Sequence, residues 1–195
     1  CCWMPQPHQQ RATRNRRKLS ALHLQISMNR RRHLALTAGM LATASGAGLL
    51  LSACGRRETA PDVAFTLLDG RKDALKSQRG KVMLVNFWAT SCTTCVHEMP
   101  QIVATYEKFK GRGYDTLAGA MGYDTPAYVA SFAASRKLPF KVAIDTTGEI
   151  AKGFGDVRLT PTSFLIDKQG GIVKRYVGEP EFAALHQLIE ELTSA

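Results

Sequence analysis

From Pro61 to Leu192 short apolar runs alternate with stretches of three- and four-residue apolar spacing. Phe65-Thr66-Leu67-Leu68 followed by Asp69-Gly70 predicts a short strand running into a turn. Val82 to Trp88 is apolar throughout except Asn86, as expected of a central strand covered on both faces. From Thr93 to about Gly111 the apolar positions Val96, Met99, Val103, Tyr106 and Phe109 keep a helical period. Pro100 falls inside it; lacking an N–H and crowding the preceding turn, it predicts a kink. Asp115 to Met121 reads as a second strand. Thr125-Pro126 reads as an N-cap with proline at the first helical position, opening a helix to about Arg136. Val142 to Ile144 predicts a strand and Glu149 to Phe154 a short helix. Thr162 to Ile166 and Ile172 to Val177 are two strands around the turn signal Asp167-Lys168-Gln169-Gly170-Gly171. Glu181 to Leu192 closes the chain as an amphipathic helix. No internal repeat is visible. The expected class is α/β, a mixed sheet with helices on both faces.

Charge changes the picture at the front end. The 195 residues carry a net charge of +10, but residues 1–60 hold ten of the Lys and Arg against Glu58 alone. Residues 61–195 are close to neutral, with 16 basic and 15 acidic side chains, so the folded part offers no footprint for nucleic acid. Residues 1–27 are polar and lack periodicity, and are expected to be upstream or disordered sequence, with Met28 as the true start. Met28-Asn29-Arg30-Arg31-Arg32-His33 is then a basic head, and Leu34 to Ser52 is an uncharged stretch of small and apolar residues. That order is the grammar of a secretory signal, assigned here to residues 28–53. Leu51-Ser52-Ala53-Cys54 resembles a bacterial lipobox, which implies cleavage before Cys54 and a lipid on its sulfur. The competing reading is an uncleaved membrane helix, weakened by Gly39, Gly46 and Gly48. Residues 54–60 are then a lipidated tether and 61–195 the folded domain. Gly55 in place of an acidic residue favours the outer membrane over the inner.

The chemistry lies in Cys92-Thr93-Thr94-Cys95, directly after the buried strand and opening a helix. Free N–H groups and the helix dipole at that position favour a negative sulfur, and the thiolate is the nucleophile. Cys92 should attack a disulfide and Cys95, one turn inside and more buried, should resolve the mixed disulfide. A zinc site needs about four ligands, and the domain has two cysteines and two histidines, His97 and His186. A purely structural disulfide across so short a loop constrains the unfolded chain little. A peroxiredoxin motif would need Thr three residues before the cysteine, and Thr90 is two residues before Cys92.

Asn86 to Pro100 resembles the active-site stretch of the TlpA/ResA branch of thioredoxin-like proteins, and Thr160-Pro161-Thr162-Ser163-Phe164-Leu165-Ile166-Asp167 resembles that family's cis-proline loop and following strand. The resemblance covers Pro61 to Leu192 and implies a thioredoxin-like fold, with Cys92 and Cys95 as a redox-active disulfide. It implies a cis peptide bond before Pro161, with the Thr160 backbone beside the sulfurs to pair with a substrate strand. Glu98 matches the glutamate after the cysteine pair; if partly buried, its pKa should rise and suit it to exchange a thiol proton. Trp88 is counted among the substrate-binding residues, although packing at the strand end explains it better than a contact with substrate. Ser91 departs from the family's usual Trp at that position and removes an aromatic wall from the site. The resemblance further implies no cofactor or metal, protein disulfides as substrates, and a periplasm-facing, lipid-anchored reductant of the cytochrome c maturation kind. It also implies a membrane thiol donor of the DsbD/CcdA type to re-reduce it. The rivals are an oxidant or isomerase, and a binding lipoprotein that keeps the fold without the chemistry.

Overall fold

The computed structural model describes residues 57–195. The expected signal at 28–53 and the expected lipidation site Cys54 lie outside them. No helix among the described residues is long and apolar enough to cross a membrane.

The fold is built on five strands: β3 (Val82–Trp88), β4 (Tyr114–Met121), β5 (Lys141–Asp145), β6 (Thr162–Ile166) and β7 (Ile172–Val177). Their spatial order is β5-β4-β3-β6-β7. The first three run parallel, and β6 and β7 turn back antiparallel. A separate hairpin pairs β1 (Ala64–Thr66) with β2 (Lys72–Ala74), joined to β3 through a 3₁₀ turn at Leu75–Gln78. The predicted bounds of β3, β6 and β7 hold to the residue, because each is a dense apolar or alternating run ended by turn residues. The strand β2 was not foreseen: Lys-Asp-Ala carries no strand signal, and only pairing with β1 makes it one.

Side chains alternate across the pleat of β3 and build two cores. Met83, Val85 and Phe87 face one layer, where α3 (Glu149–Gly153) and the β1–β2 hairpin pack Ile150, Phe154 and Phe65 against them. Val82, Leu84 and Trp88 face the other, covered by α1 (Thr93–Phe109), α2 (Pro126–Ser135) and α4 (Phe182–Ser194). Ile102, Phe109, Leu185 and Ile189 are wholly buried there. Full burial of such a side chain contributes about 1.5–3 kcal/mol. The α1 helix runs continuously through Pro100. Thr125 sits at the N-cap of α2, but its side chain makes no capping bond; the Asp124 carboxylate accepts the Thr125 N–H instead. At α4 the cap is Glu181, whose two oxygens accept the N–H groups of Ala183 and Ala184.

Candidate active site

One end of the sheet carries the chemistry. The C-terminal end of β3 and the start of β6 lie side by side, since Phe87 is opposite Thr162. Chain leaving β3 turns through Ala89–Cys92, closed by the Cys92 N–H on the Ala89 carbonyl at 3.2 Å, and enters α1. Cys92 is the N-cap of α1, and its sulfur accepts the Cys95 N–H at 3.2 Å. The two cysteines are joined as a disulfide, with Cα atoms 5.2 Å apart. Cys92 is partly exposed and Cys95 is fully buried, so only the first sulfur faces outward. Cys92 caps α1 and Cys95 lies in its first turn, at the helix end where free N–H groups favour negative charge.

Glu98 lies one turn past Cys95, on the same face of α1, and is completely buried. Its Oε1 accepts from Asn86 Nδ2 at 2.9 Å, and the same amide nitrogen donates to Ser163 Oγ at 3.0 Å. Burial pushes the Glu98 carboxyl up to about 7; the Asn86 bond pulls the other way, and the nearby Glu179 carboxylate adds to the rise. Asn86 and Ser163 are direct partners across β3 and β6, so strand register delivers the serine to the amide. Glu98 Oε2 and Asn86 Oδ1 are buried and make no hydrogen bond among the described residues. In a low-dielectric interior such groups are held at a cost and are uncommon.

The Thr160–Pro161 peptide is cis. Its loop is pinned on both sides: the Gly178 N–H donates to the Pro161 carbonyl at 2.8 Å, and Thr162 Oγ1 donates to the Leu159 carbonyl at 2.7 Å. Pro161 is buried and Thr160 half-buried, at the same sheet end as Cys92. Trp88 requires a correction as a substrate contact. Its ring is fully buried and packs on Phe132 with centroids 5.1 Å apart, so it supports the strand end from inside. His97 is exposed and faces Glu179, with Nδ1 3.3 Å from Oε2.

Two members of the site, Asp124 and Ser163, were not legible in the sequence. Asp124, buried in the β4–α2 loop, accepts the Thr90 N–H at 2.6 Å and the Thr90 hydroxyl at 2.7 Å. Thr90 lies two residues before Cys92, so this carboxylate brackets the loop that carries the disulfide. Ser163 and Asp124 are 77 and 34 residues from their partners, and no local pattern announces either. Among the described residues no group of three His, Cys, Asp or Glu side chains is placed to hold a metal ion.

Comparisons with known proteins agree with this geometry. The sequence pattern of the Redoxin family matches residues 56–189. The chain is 39% identical over 134 residues to the thiol-disulfide oxidoreductase ResA of Bacillus thuringiensis subsp. konkukian, covering 69% of this chain and 76% of that one. Among solved structures, a Neisseria meningitidis protein described as a thioredoxin superposes with a TM-score of 0.65 at 38% identity, over 70% of this chain and 90% of its own. A Chlorobium tepidum protein described as the thiol:disulfide interchange protein DsbE gives 0.65 at 29% identity, over 71% and 97%.

Proposed function

This chain belongs to the Redoxin family and is a thiol-disulfide oxidoreductase of the ResA kind with a thioredoxin-like fold, and we propose that it reduces protein disulfides through Cys92 and Cys95, with Glu98 as the proton-handling group. The observation that carries the reading is the Cys92–Cys95 disulfide at the N-terminus of α1 with a buried carboxyl behind it.

The reduced form begins the cycle. The Cys92 thiolate attacks one sulfur of a substrate disulfide, which breaks the substrate S–S bond and releases the first substrate thiolate. Cys95 then loses its proton to ionised Glu98 and attacks Cys92. The mixed disulfide breaks, the second substrate thiolate leaves, and Cys92–Cys95 is again a disulfide. Two electrons pass to the substrate, and the two substrate thiolates take up two protons. Thr160 and Pro161 lie at the same end of the sheet as Cys92, and through them the cis-proline loop would pair with the substrate backbone. A membrane dithiol donor of the DsbD/CcdA type would return the electrons.

The Leu51-Ser52-Ala53-Cys54 pattern supports a lipid anchor on Cys54, and with it a periplasm-facing location, the outer membrane favoured. Reduction of apocytochrome cysteines before haem attachment is the substrate role this reading favours. The test is capture. With Cys95→Ser, mixed disulfides to client proteins should accumulate in cells and disappear on treatment with dithiothreitol. With Cys92→Ser they should not form. Equal capture by both variants would exclude Cys92 as the nucleophile.

A further inference from the structure

Among the described residues, five large apolar side chains are exposed: Leu68, Tyr123, Tyr128, Leu159 and Val177. Four of them stand at the disulfide end of the sheet. Tyr123 is in the β4–α2 loop and Tyr128 in the first turn of α2. Leu159 precedes the cis peptide, and Val177 ends β7 opposite Thr162. Single exposed apolar residues are ordinary, but a cluster around one centre marks a contact surface.

Tyr123 has the most informative position in this cluster. Its neighbour Asp124 is bonded to Thr90, in the loop that leads to Cys92. Its own hydroxyl lies 3.5 Å from Thr160 Oγ1, in the loop before Pro161. The ring therefore stands between the two loops that frame the disulfide. It is 64% exposed, and Leu159, on the same cis-proline loop, is 65% exposed, so both keep most of their apolar area free. Ser91, beside Cys92, is small and polar and supplies no apolar surface there.

We propose that Tyr123 and Leu159 are specificity-determining contacts that grip a bulky apolar side chain next to the cysteine of an extended, disulfide-bearing polypeptide. The proposal rests on the exchange reading of Cys92. Aromatic rings suit this role because they offer a large contact area with few rotatable bonds. A substrate whose cysteine is flanked by glycine would gain nothing from the pair.

Reduced protein should be mixed with three disulfides: hydroxyethyl disulfide, a short peptide disulfide with Leu beside each Cys, and the same peptide with Gly in that place. The second-order rate for the Leu peptide is expected to exceed that for the Gly peptide by about tenfold, about 1.4 kcal/mol. Tyr123→Ala should remove most of that preference, and Tyr123→Ala/Leu159→Ala the remainder. Both variants should react with hydroxyethyl disulfide at the wild-type rate, which also certifies an intact site. Equal wild-type rates for the two peptides, or a preference that survives the double substitution, would overturn the proposal. A wild-type protein that fails to reduce even hydroxyethyl disulfide would overturn the exchange reading and the proposal with it.

Discussion

Burial places the Glu98 titration near pH 7, where thiol chemistry runs. Below that value the carboxyl holds its proton and cannot take one from Cys95; above it, it can. The rate of disulfide exchange should therefore rise through about pH 7, and Glu98→Gln should flatten that rise and lower the plateau about a hundredfold, as removal of a general base does. A pH profile of the single-turnover rate checks both. The same shift has a stability consequence. A carboxyl raised from 4.5 to about 7 by folding stabilises the native state fully below pH 4.5, and this contribution fades as pH rises through 7. The loss amounts to about 3 kcal/mol, since one pKa unit is about 1.4 kcal/mol. Glu98→Gln keeps an oxygen for Asn86 and never ionises. Its stability relative to wild type should increase between pH 4.5 and 8, as urea unfolding at the two pH values would reveal. An unchanged difference would mean that Glu98 stays charged inside the protein. Asn86 donates to the carboxylate and lowers its pKa, so Asn86→Ala should move the kinetic inflection upward.

At the scale of elements, carboxylates do much of the joining. Asp145, at the end of β5 and buried, accepts the N–H groups of Ile150 at 3.1 Å and Ala151 at 2.7 Å, and so fixes the start of the five-residue helix α3. Asp124 does the same for the loop before α1. Removing such a partner leaves buried donors unsatisfied, which costs about 1–3 kcal/mol. Asp145→Ala and Asp124→Ala should each lower stability by about that amount in denaturant titration. Only Asp124→Ala should also alter the reactivity of Cys92, read as its rate of alkylation when reduced. Close approach matters here too: a Cβ at Gly122, next to this loop, would collide with the Asp145 carbonyl. These joints explain what the sequence disclosed and what it withheld. Strands β3, β6 and β7 are visible because their burial pattern is local. The β1–β2 hairpin, the Asp124 bracket and the Asp145 cap depend on contacts between segments, and a one-dimensional pattern does not carry them.

At the scale of the folded domain, the sheet order β5-β4-β3-β6-β7 brings the candidate groups Cys92, Glu98 and Pro161 to one end. Parallel β3 and β4 both finish there, antiparallel β6 begins there, and α1 starts from it. The cysteine pair, Glu98 and the cis-proline were readable because each lies within a short motif. The row from Glu98 through Asn86 to Ser163 appears only once β3 and β6 are in register. Trp88 was readable as an aromatic at a strand end, but its direction depends on the pleat, which turns it inward onto Phe132.

The reduction potential of the Cys92–Cys95 couple, equilibrated against glutathione and dithiothreitol buffers, tests the proposed reductive role most directly. Each 30 mV corresponds to about 1.4 kcal/mol for this two-electron exchange. A dedicated reductant should lie near or below about −220 mV, in the thioredoxin–glutaredoxin range. A value near about −120 mV, typical of a strong oxidant, or the absence of any reversible couple, would contradict it.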